Sequence, residues 1–181
     1  ILLPSIVTGW NDKWREQIDF VRNSNLKQVA LFLTGLKSVE RGECYGKLSE
    51  IPGLETPFVH ARSDMSVDEY KMLMKMFGVR MFNLHAERYY PLNLNLDSLK
   101  KLIYIENAKD LIESDFTGYA GICLDLAHLQ NSKLQNPKEY EAICPILDKY
   151  TIGANHIGAI SDQLLPDPDG QPVPQDQDGA Q

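Results

Sequence analysis

Seven short segments of the chain are almost continuously apolar and rich in β-branched and aromatic residues. Runs of this kind are typical of strands buried on both faces of a parallel sheet, whereas a half-exposed strand alternates apolar and polar positions. The predicted strands are Leu2–Val7, Gln28–Leu33, Pro57–Ala61, Arg80–His85, Leu102–Glu106, Gly121–Leu126 and Ile152–Ile160.

Stretches with helical character separate several of these strands. Asp12–Val21 and Pro137–Tyr150 are predicted helices, and Pro145 is expected to interrupt the second. The clearest helix start is Ser66, whose side chain can cap backbone amides while Glu69 returns the bond; this helix runs to Met76 and ends at Gly78. Strands recurring with helices between them predict a single α/β domain built of βα units.

Two α/β architectures fit this pattern, an open doubly wound sheet and an eight-stranded (β/α)8 TIM barrel. The chain contains neither a GxGxxG turn nor a GxxxxGK[ST] phosphate loop, which favours the barrel. A barrel needs eight strands and usually about 250 residues. The chain has 181 residues and begins at Ile1, so we expect a fragment of a longer protein in which the eighth strand is missing.

Charge is unevenly distributed along the chain. The net charge is −7, and five aspartates fall in the segment from Asp162 to Gln181, which has four prolines and neither Lys nor Arg. We therefore predict a barrel domain over 1–161 with seven recognisable strands, followed by an acidic, Pro-rich loop or disordered tail over 162–181. The nearly neutral remainder does not decide between a nucleic acid and a small neutral substrate.

The composition narrows the cellular setting. No apolar run approaches the roughly 18 residues that span a bilayer, and no signal peptide is recognisable, so we expect a cytoplasmic protein without a membrane partner. Cys44, Cys123 and Cys144 form no CxxC pair and are predicted to be reduced thiols. The oligomeric state stays open.

All four histidines and two carboxylates lie in or just after predicted strands. In a βα barrel the carboxyl ends of the strands converge on one mouth, where these side chains would meet. The candidate metal ligands are His60, His85, Glu106, Asp125, His128 and His156.

A carboxylate within an apolar strand must be paired, protonated or bound to a cation, because burial of an isolated charge costs several kcal/mol or more. A buried Lys or Arg beside Glu106, or a local hydrogen bond between Asp125 and His128, would be the non-functional explanation. The joint placement of six such residues instead favours a metal site. Imidazole with carboxylate suits Zn²⁺, Mn²⁺, Co²⁺ or Fe²⁺ better than Ca²⁺, and Mg²⁺ stays open.

The ordered strand ends resemble the xylose-isomerase-like TIM barrels, which include sugar phosphate isomerases and epimerases and the endonuclease IV family of abasic DNA repair enzymes. The resemblance spans nearly the whole chain. It implies a divalent metal bound by Glu106, Asp125 and His156, normally completed by a glutamate of the eighth strand. No glutamate follows Glu141 in this chain.

The resemblance implies two kinds of activity. In a sugar or sugar phosphate isomerase or epimerase, Glu106 would be both ligand and acid/base in a reaction through an enediolate, and His128 would position substrate oxygens. In the endonuclease-like branch, His60 and His85 would join a multinuclear zinc cluster that cleaves abasic DNA. The sugar reaction is placed slightly ahead, because no basic stripe with interleaved aromatic residues is visible.

Three further residues are candidates for substrate binding. Arg62 and Arg88 follow His60 and His85 and could bind a phosphate, and Asn107 follows Glu106. A third alternative, a noncatalytic metal-binding barrel, also stays open.

Overall fold

The computed structural model describes residues 1–9, 13–92 and 95–157, together with the backbone of 165–166 and 172–173. The chain divides into two compact units. The first contains Ile1–Asn83 and Leu92–Leu96, and the second contains Leu84–Pro91 and the chain from Asp97 to Gln177. All seven predicted strands are present, as β1 Ser5–Val7, β2 Gln28–Phe32, β3 Glu55–His60, β4 Met81–Leu84, β5 Ile103–Glu106, β6 Gly121–Asp125 and β7 Ile152–His156.

Strand order follows chain order within each unit. In the first unit β1 pairs with β2, β2 with β3 and β3 with β4, and in the second β5 pairs with β6 and β6 with β7, always in parallel. A doubly wound sheet reverses its order at a switch point, whereas the strands of a βα barrel succeed one another. The predicted α/β class with parallel strands is confirmed, and the order within each unit is that of a βα barrel.

Five α-helices accompany the strands over the part of the chain that the structure describes. They are α1 Trp14–Asn23, α2 Ser38–Ser49, α3 Val67–Phe77, α4 Leu126–Gln135 and α5 Pro137–Lys149. Among the described residues that connect β4 to β5 and β5 to β6, helical structure is limited to 3₁₀ turns at Lys100–Leu102 and Glu113–Phe116. None of the described helices combines the length and the apolar character that a bilayer span requires.

Helix α3 begins and ends as the sequence predicts. The Ser66 hydroxyl accepts a hydrogen bond from the backbone amide of Glu69, and Gly78 closes the helix in the left-handed conformation. The Glu69 carboxylate was expected to return a bond to the helix cap. In the structure it accepts hydrogen bonds from the buried guanidinium of Arg41 and from the Tyr45 hydroxyl. A charged pair with Arg41 is a stronger interaction for this carboxylate than a return bond to the cap.

Three helices depart from the sequence prediction. Helix α4 was not predicted, because the apolar run of the preceding strand extends into its first residue, Leu126. Helix α2 was not predicted, because Gly42 and Gly46 lower helix propensity and the buried stripe includes a charged residue, Arg41. Helix α5 continues through Pro145, where an interruption was expected. Burial of Ile143 and Ile146 on either side of the proline offsets its local cost, which is roughly 3 kcal/mol or more.

Four residues of the acidic segment, which was predicted as a loop or disordered tail, lie in strands. Leu165–Pro166 (β8) and Pro172–Val173 (β9) form a short antiparallel pair. The intervening sequence includes Pro168-Asp169-Gly170, which is typical of a turn and which a count of prolines and charges overlooks. The rest of 162–181 lies outside the described residues, as do residues 158–160 of the last predicted strand. The division of the chain at 161 stays a prediction.

Two glycines allow the strands of the second unit to approach closely. A Cβ at Gly121 would overlap the backbone carbonyl of Thr151, and Gly121 also has a φ of 150°. A Cβ at Gly153 would overlap the ring of Tyr104, which packs across β7. This close packing fixes the register that sets Glu106 beside Cys123 and Asp125 beside His156.

Candidate metal centre

Five of the six predicted ligands occur together in the second unit. His85 directly follows β4, Glu106 ends β5, Asp125 ends β6 and His156 ends β7. His128 lies in the first turn of α4, directly after β6. Parallel strands present their carboxyl ends at one edge of the sheet, so the chain direction alone gathers these side chains there.

Glu106 lies at the centre of this group. Its side chain is 1% exposed, and its Oε1 lies 3.1 Å from Nδ1 of His156 and 3.8 Å from Nε2 of His128. Its Oε2 lies 3.6 Å from Nε2 of His85. The sequence left open a structural ion pair of Glu106 with Lys or Arg; the structure surrounds the carboxylate with three imidazoles.

Asp125 divides its two carboxylate oxygens between two tasks. Oδ1 accepts hydrogen bonds from the backbone amides of Ala127 and His128 and thereby caps α4. Oδ2 lies 3.4 Å from Nδ1 of His156. The hydrogen bond to His128 foreseen as a non-functional alternative thus exists at the backbone of His128, and it leaves the second oxygen directed at the cluster.

His156 connects the two carboxylates through Nδ1, and its Nε2 lies 3.4 Å from Sγ of Cys123. Burial alone lowers the pKa of His156, but the negative charge of Glu106 and hydrogen bonds to Asp125, Cys123 and Glu106 raise it well above its ordinary value. Burial also raises the pKa of the Cys123 thiol to about 11, against the opposing influence of His156. The cluster therefore attracts positive charge and has a neutral thiol at its side.

The donor spacing fits a small divalent cation. A tetrahedral site with bonds of about 2.1 Å separates its ligand atoms by about 3.4 Å. The distances from Nδ1 of His156 to the two carboxylates, 3.1 Å and 3.4 Å, are close to this value. Ligand atoms of Glu106, Asp125 and His128 also lie within 4.8 Å of one another. The cluster thus matches a divalent-cation site in the type, the burial and the spacing of its donor atoms.

Asn107 holds the ends of β5 and β6 together. Its Nδ2 donates to the backbone carbonyl of Asp125 at 2.9 Å, and its Oδ1 accepts from the backbone amide of Asp125 at 2.5 Å. The side chain is buried with the cluster. Its observed contacts position Asp125, and the substrate-binding role predicted from the sequence stays a prediction.

The remaining candidate residues lie in different surroundings. His60 ends β3 in the first unit and is buried, with its ring edge against Phe32. Arg62, also in the first unit, donates to the Asp64 carboxylate and to the backbone carbonyl of Thr34. The participation of His60 in metal binding and of Arg62 in substrate binding stays a prediction.

Arg88 belongs to the second unit, and carboxylates hold its guanidinium. It pairs with Asp115 and Asp110 and packs on the ring of Tyr89. The two acidic partners raise the pKa of Arg88 although burial opposes them. A phosphate would compete with these aspartates for the guanidinium, and the substrate role of Arg88 stays a prediction.

Cys123 contributes to the cluster, which was not predicted from the sequence. The signal was present, because a residue two positions before Asp125 in a strand points to the same face. The sequence could not identify His156 as the partner of Cys123, because this contact depends on the pairing of β6 with β7.

Comparisons with known proteins add little to this geometry. No known protein family and no curated protein matches the chain. Among solved structures, the chain is similar to the probable 3-DHS dehydratase AsbF involved in petrobactin synthesis from Bacillus anthracis, with a TM-score of 0.40 and 12% identity. The match covers 80% of this chain and 70% of that one. At this identity and TM-score the likeness carries no weight for function.

Proposed function

We propose that the protein is a divalent-metal-dependent enzyme that isomerises or epimerises a sugar or sugar phosphate through an enediolate. The observation that carries the proposal is Glu106, a buried carboxylate whose oxygens lie 3.1 to 3.8 Å from three histidines. This carboxylate, together with the histidines, can hold a cation, and it can exchange a proton with a substrate bound to that cation. The ordered resemblance to xylose-isomerase-like barrels adds the sugar as the substrate class.

Glu106, Asp125 and His156 would hold the metal, with His128 beside them. A bound divalent cation supplies Lewis acidity that stabilises negative charge on adjacent substrate oxygens. Asp125 is well suited to a fixed ligand, because the amides of α4 restrain Oδ1 while Oδ2 faces His156. Asn107 restrains the backbone of the same residue.

In an isomerisation Glu106 would carry the proton between neighbouring carbons of the substrate. In an epimerisation it would take the proton from one face of a carbon, and a second acid, the role that the resemblance gives to a glutamate of the eighth strand, would return one to the opposite face. A carboxylate fixed beside the substrate can remove the proton from carbon and return it, and positioned acid/base catalysis contributes roughly 10² to 10⁴-fold. His128 lies at the rim of the cluster with an 11% exposed side chain, where its imidazole can donate to a substrate oxygen. The metal identity and the sugar are open, and a cytoplasmic location without a membrane partner stays a prediction.

The experiment that tests this proposal follows the proton itself. Protein stripped with a chelator and reloaded with Zn²⁺, Mn²⁺, Co²⁺ or Mg²⁺ is incubated with panels of sugars and sugar phosphates in deuterated solvent. We expect metal-dependent incorporation of deuterium at a carbon beside the carbonyl. Turnover that is insensitive to the chelator, or a product without solvent deuterium, contradicts the enediolate mechanism.

One observation favours a second candidate, an endonuclease IV-like phosphodiesterase acting on abasic DNA. The two oxygens of Glu106 face different histidines, His85 on one side and His128 with His156 on the other. A carboxylate placed in this way can bridge two cations, as in sites that cleave phosphodiesters. Metal-dependent cleavage of an abasic oligonucleotide, without deuterium exchange on any sugar, identifies this activity. Metal binding without either reaction identifies a noncatalytic barrel.

A further inference from the structure

Cys123 is a buried thiol that the proposed reaction does not use. It lies on β6 between Glu106 of β5 and Ala154 of β7, and none of its surface is exposed. Its Sγ lies 3.4 Å from Nε2 of His156, within hydrogen-bond range for sulfur. The contact lies on the side of the imidazole opposite to the carboxylates.

The two nitrogens of His156 therefore have different partners. Nδ1 faces Oε1 of Glu106 and Oδ2 of Asp125, while Nε2 faces the thiol. An imidazole binds a metal through one nitrogen, and the hydrogen bond made by the other fixes the tautomer and the ring orientation. A ring without a partner at Nε2 could rotate and present either nitrogen to the cluster.

We propose that Cys123 is a positioning residue that accepts a hydrogen bond from Nε2–H of His156 and so directs Nδ1 toward Glu106 and Asp125 for metal binding. This inference rests on the proposed metal site. The thiol acts through His156 and is not itself a ligand.

Three substitutions separate positioning from packing. Cys123→Ala removes the acceptor, and Cys123→Ser keeps an acceptor of similar size. Cys44→Ala is the matched control, because Cys44 is equally buried but lies on α2 in the first unit. Zinc affinity of each folded variant is measured by competition with a chromophoric chelator, and long-range ¹H–¹⁵N NMR reports the protonated nitrogen of His156.

We expect zinc affinity to fall about 10-fold or more in Cys123→Ala, to recover largely in Cys123→Ser and to stay within twofold of wild type in Cys44→Ala. The wild-type spectrum should show a proton on Nε2 of His156 with zinc bound. Unchanged affinity in Cys123→Ala, or a zinc-bound His156 protonated on Nδ1, overturns the proposal.

The role of Cys123 can be tested even if one variant does not fold or the wild-type protein binds no zinc. If Cys123→Ala does not fold, the wild-type tautomer and the Cys123→Ser affinity carry the test. If the wild-type protein binds no zinc, the proposed metal site is wrong, and the NMR comparison without metal then decides for Cys123. In that case a hydrogen-bonded Nε2 proton that shifts in Cys123→Ser supports the contact with the thiol, and an unchanged resonance excludes it.

Discussion

At Glu106 a single side chain combines burial, negative charge and contact with three imidazoles. Burial of a carboxylate is unfavourable unless cations or hydrogen-bond donors compensate it. Histidines can supply that compensation as hydrogen-bond donors, and they can supply it equally by sharing a metal with the carboxylate. The same residue therefore explains both the electrostatics of the cluster and the proposed chemistry.

Glu106→Gln tests this residue while it retains the size of the side chain and a coordinating oxygen. We expect a folded protein that binds zinc or manganese more weakly and loses roughly 10² to 10⁴-fold or more in turnover. Glu113→Gln is the control, since Glu113 is exposed and pairs only with Lys149 among its observed contacts. Full activity in Glu106→Gln would show that this carboxylate is a structural partner of the histidines.

Asp125 allows its two tasks to be separated. Asparagine is as good a helix cap as aspartate, so Asp125→Asn should keep the stability of α4 but bind metal more weakly through the lost charge. Asp125→Ala should additionally lose about 1 kcal/mol in the free energy of unfolding. Urea unfolding and metal titration of both variants measure the two effects. Equal metal affinity in wild type and Asp125→Asn would contradict its role as a ligand.

The sequence located several residues of this cluster for a physical reason. A polar residue that ends an apolar strand stands out, so His85, Glu106, Asp125 and His156 could be identified and the structure brings them together. Side-chain contacts between strands could not be predicted from the sequence. The bonds of Asn107 to Asp125 and of Cys123 to His156 depend on strand pairing and side-chain direction, which a single segment does not contain.

At the scale of elements, β5 and β6 are joined beyond their ladder by the amide of Asn107. Asn107→Ala removes both bonds and leaves a buried amide and carbonyl of Asp125 with fewer partners, which costs roughly 1 to 3 kcal/mol for each unsatisfied group. We expect a lower free energy of unfolding in urea and weaker metal binding through a displaced Asp125. Asn155→Ala, at an exposed position of β7, should change neither.

Gly153 sets the approach of β7 to the ring of Tyr104. Gly153→Ala should destabilise the protein by several kcal/mol, because its Cβ has no space beside the ring and one of them must move. Gly42→Ala is the matched substitution in α2, where a Cβ meets nothing within 4 Å and helix propensity favours alanine by about 1 kcal/mol. Thermal unfolding distinguishes the two. A Gly153→Ala protein as stable as wild type would refute the packing described for β7.

Strands were easier to predict than helices in this chain. Strands β1 to β7 all follow from continuous apolar runs, with ends shifted by up to a few residues, as in β1. Helix α2 repeats buried positions at helical spacing, but two glycines and the charge of Arg41 conceal them. In α5, tertiary burial outweighs the local effect of Pro145. The local sequence pattern thus does not predict a helix correctly where packing or ion pairs between elements stabilise it.

At the scale of the molecule, the parallel arrangement explains why chemistry collects where it does. Strands β5, β6 and β7 each end in a ligand candidate and run in the same direction, so distant positions in the sequence meet at one edge. His60 and Arg62 follow the same rule at the end of β3 in the first unit. The proposed function therefore depends most on whether the cluster of the second unit binds a metal.

X-ray absorption at the zinc edge tests this claim most directly. The chelator-stripped protein is loaded with one equivalent of Zn²⁺ and passed through a desalting column before measurement. We expect retained zinc with nitrogen and oxygen ligands at about 2.0 to 2.2 Å, including at least one imidazole, and no sulfur at about 2.3 Å because Cys123 lies behind His156. A double variant with Glu106→Gln and Asp125→Asn should retain no zinc after desalting. Zinc that is not retained, or a first shell containing sulfur, would contradict the metal centre described above.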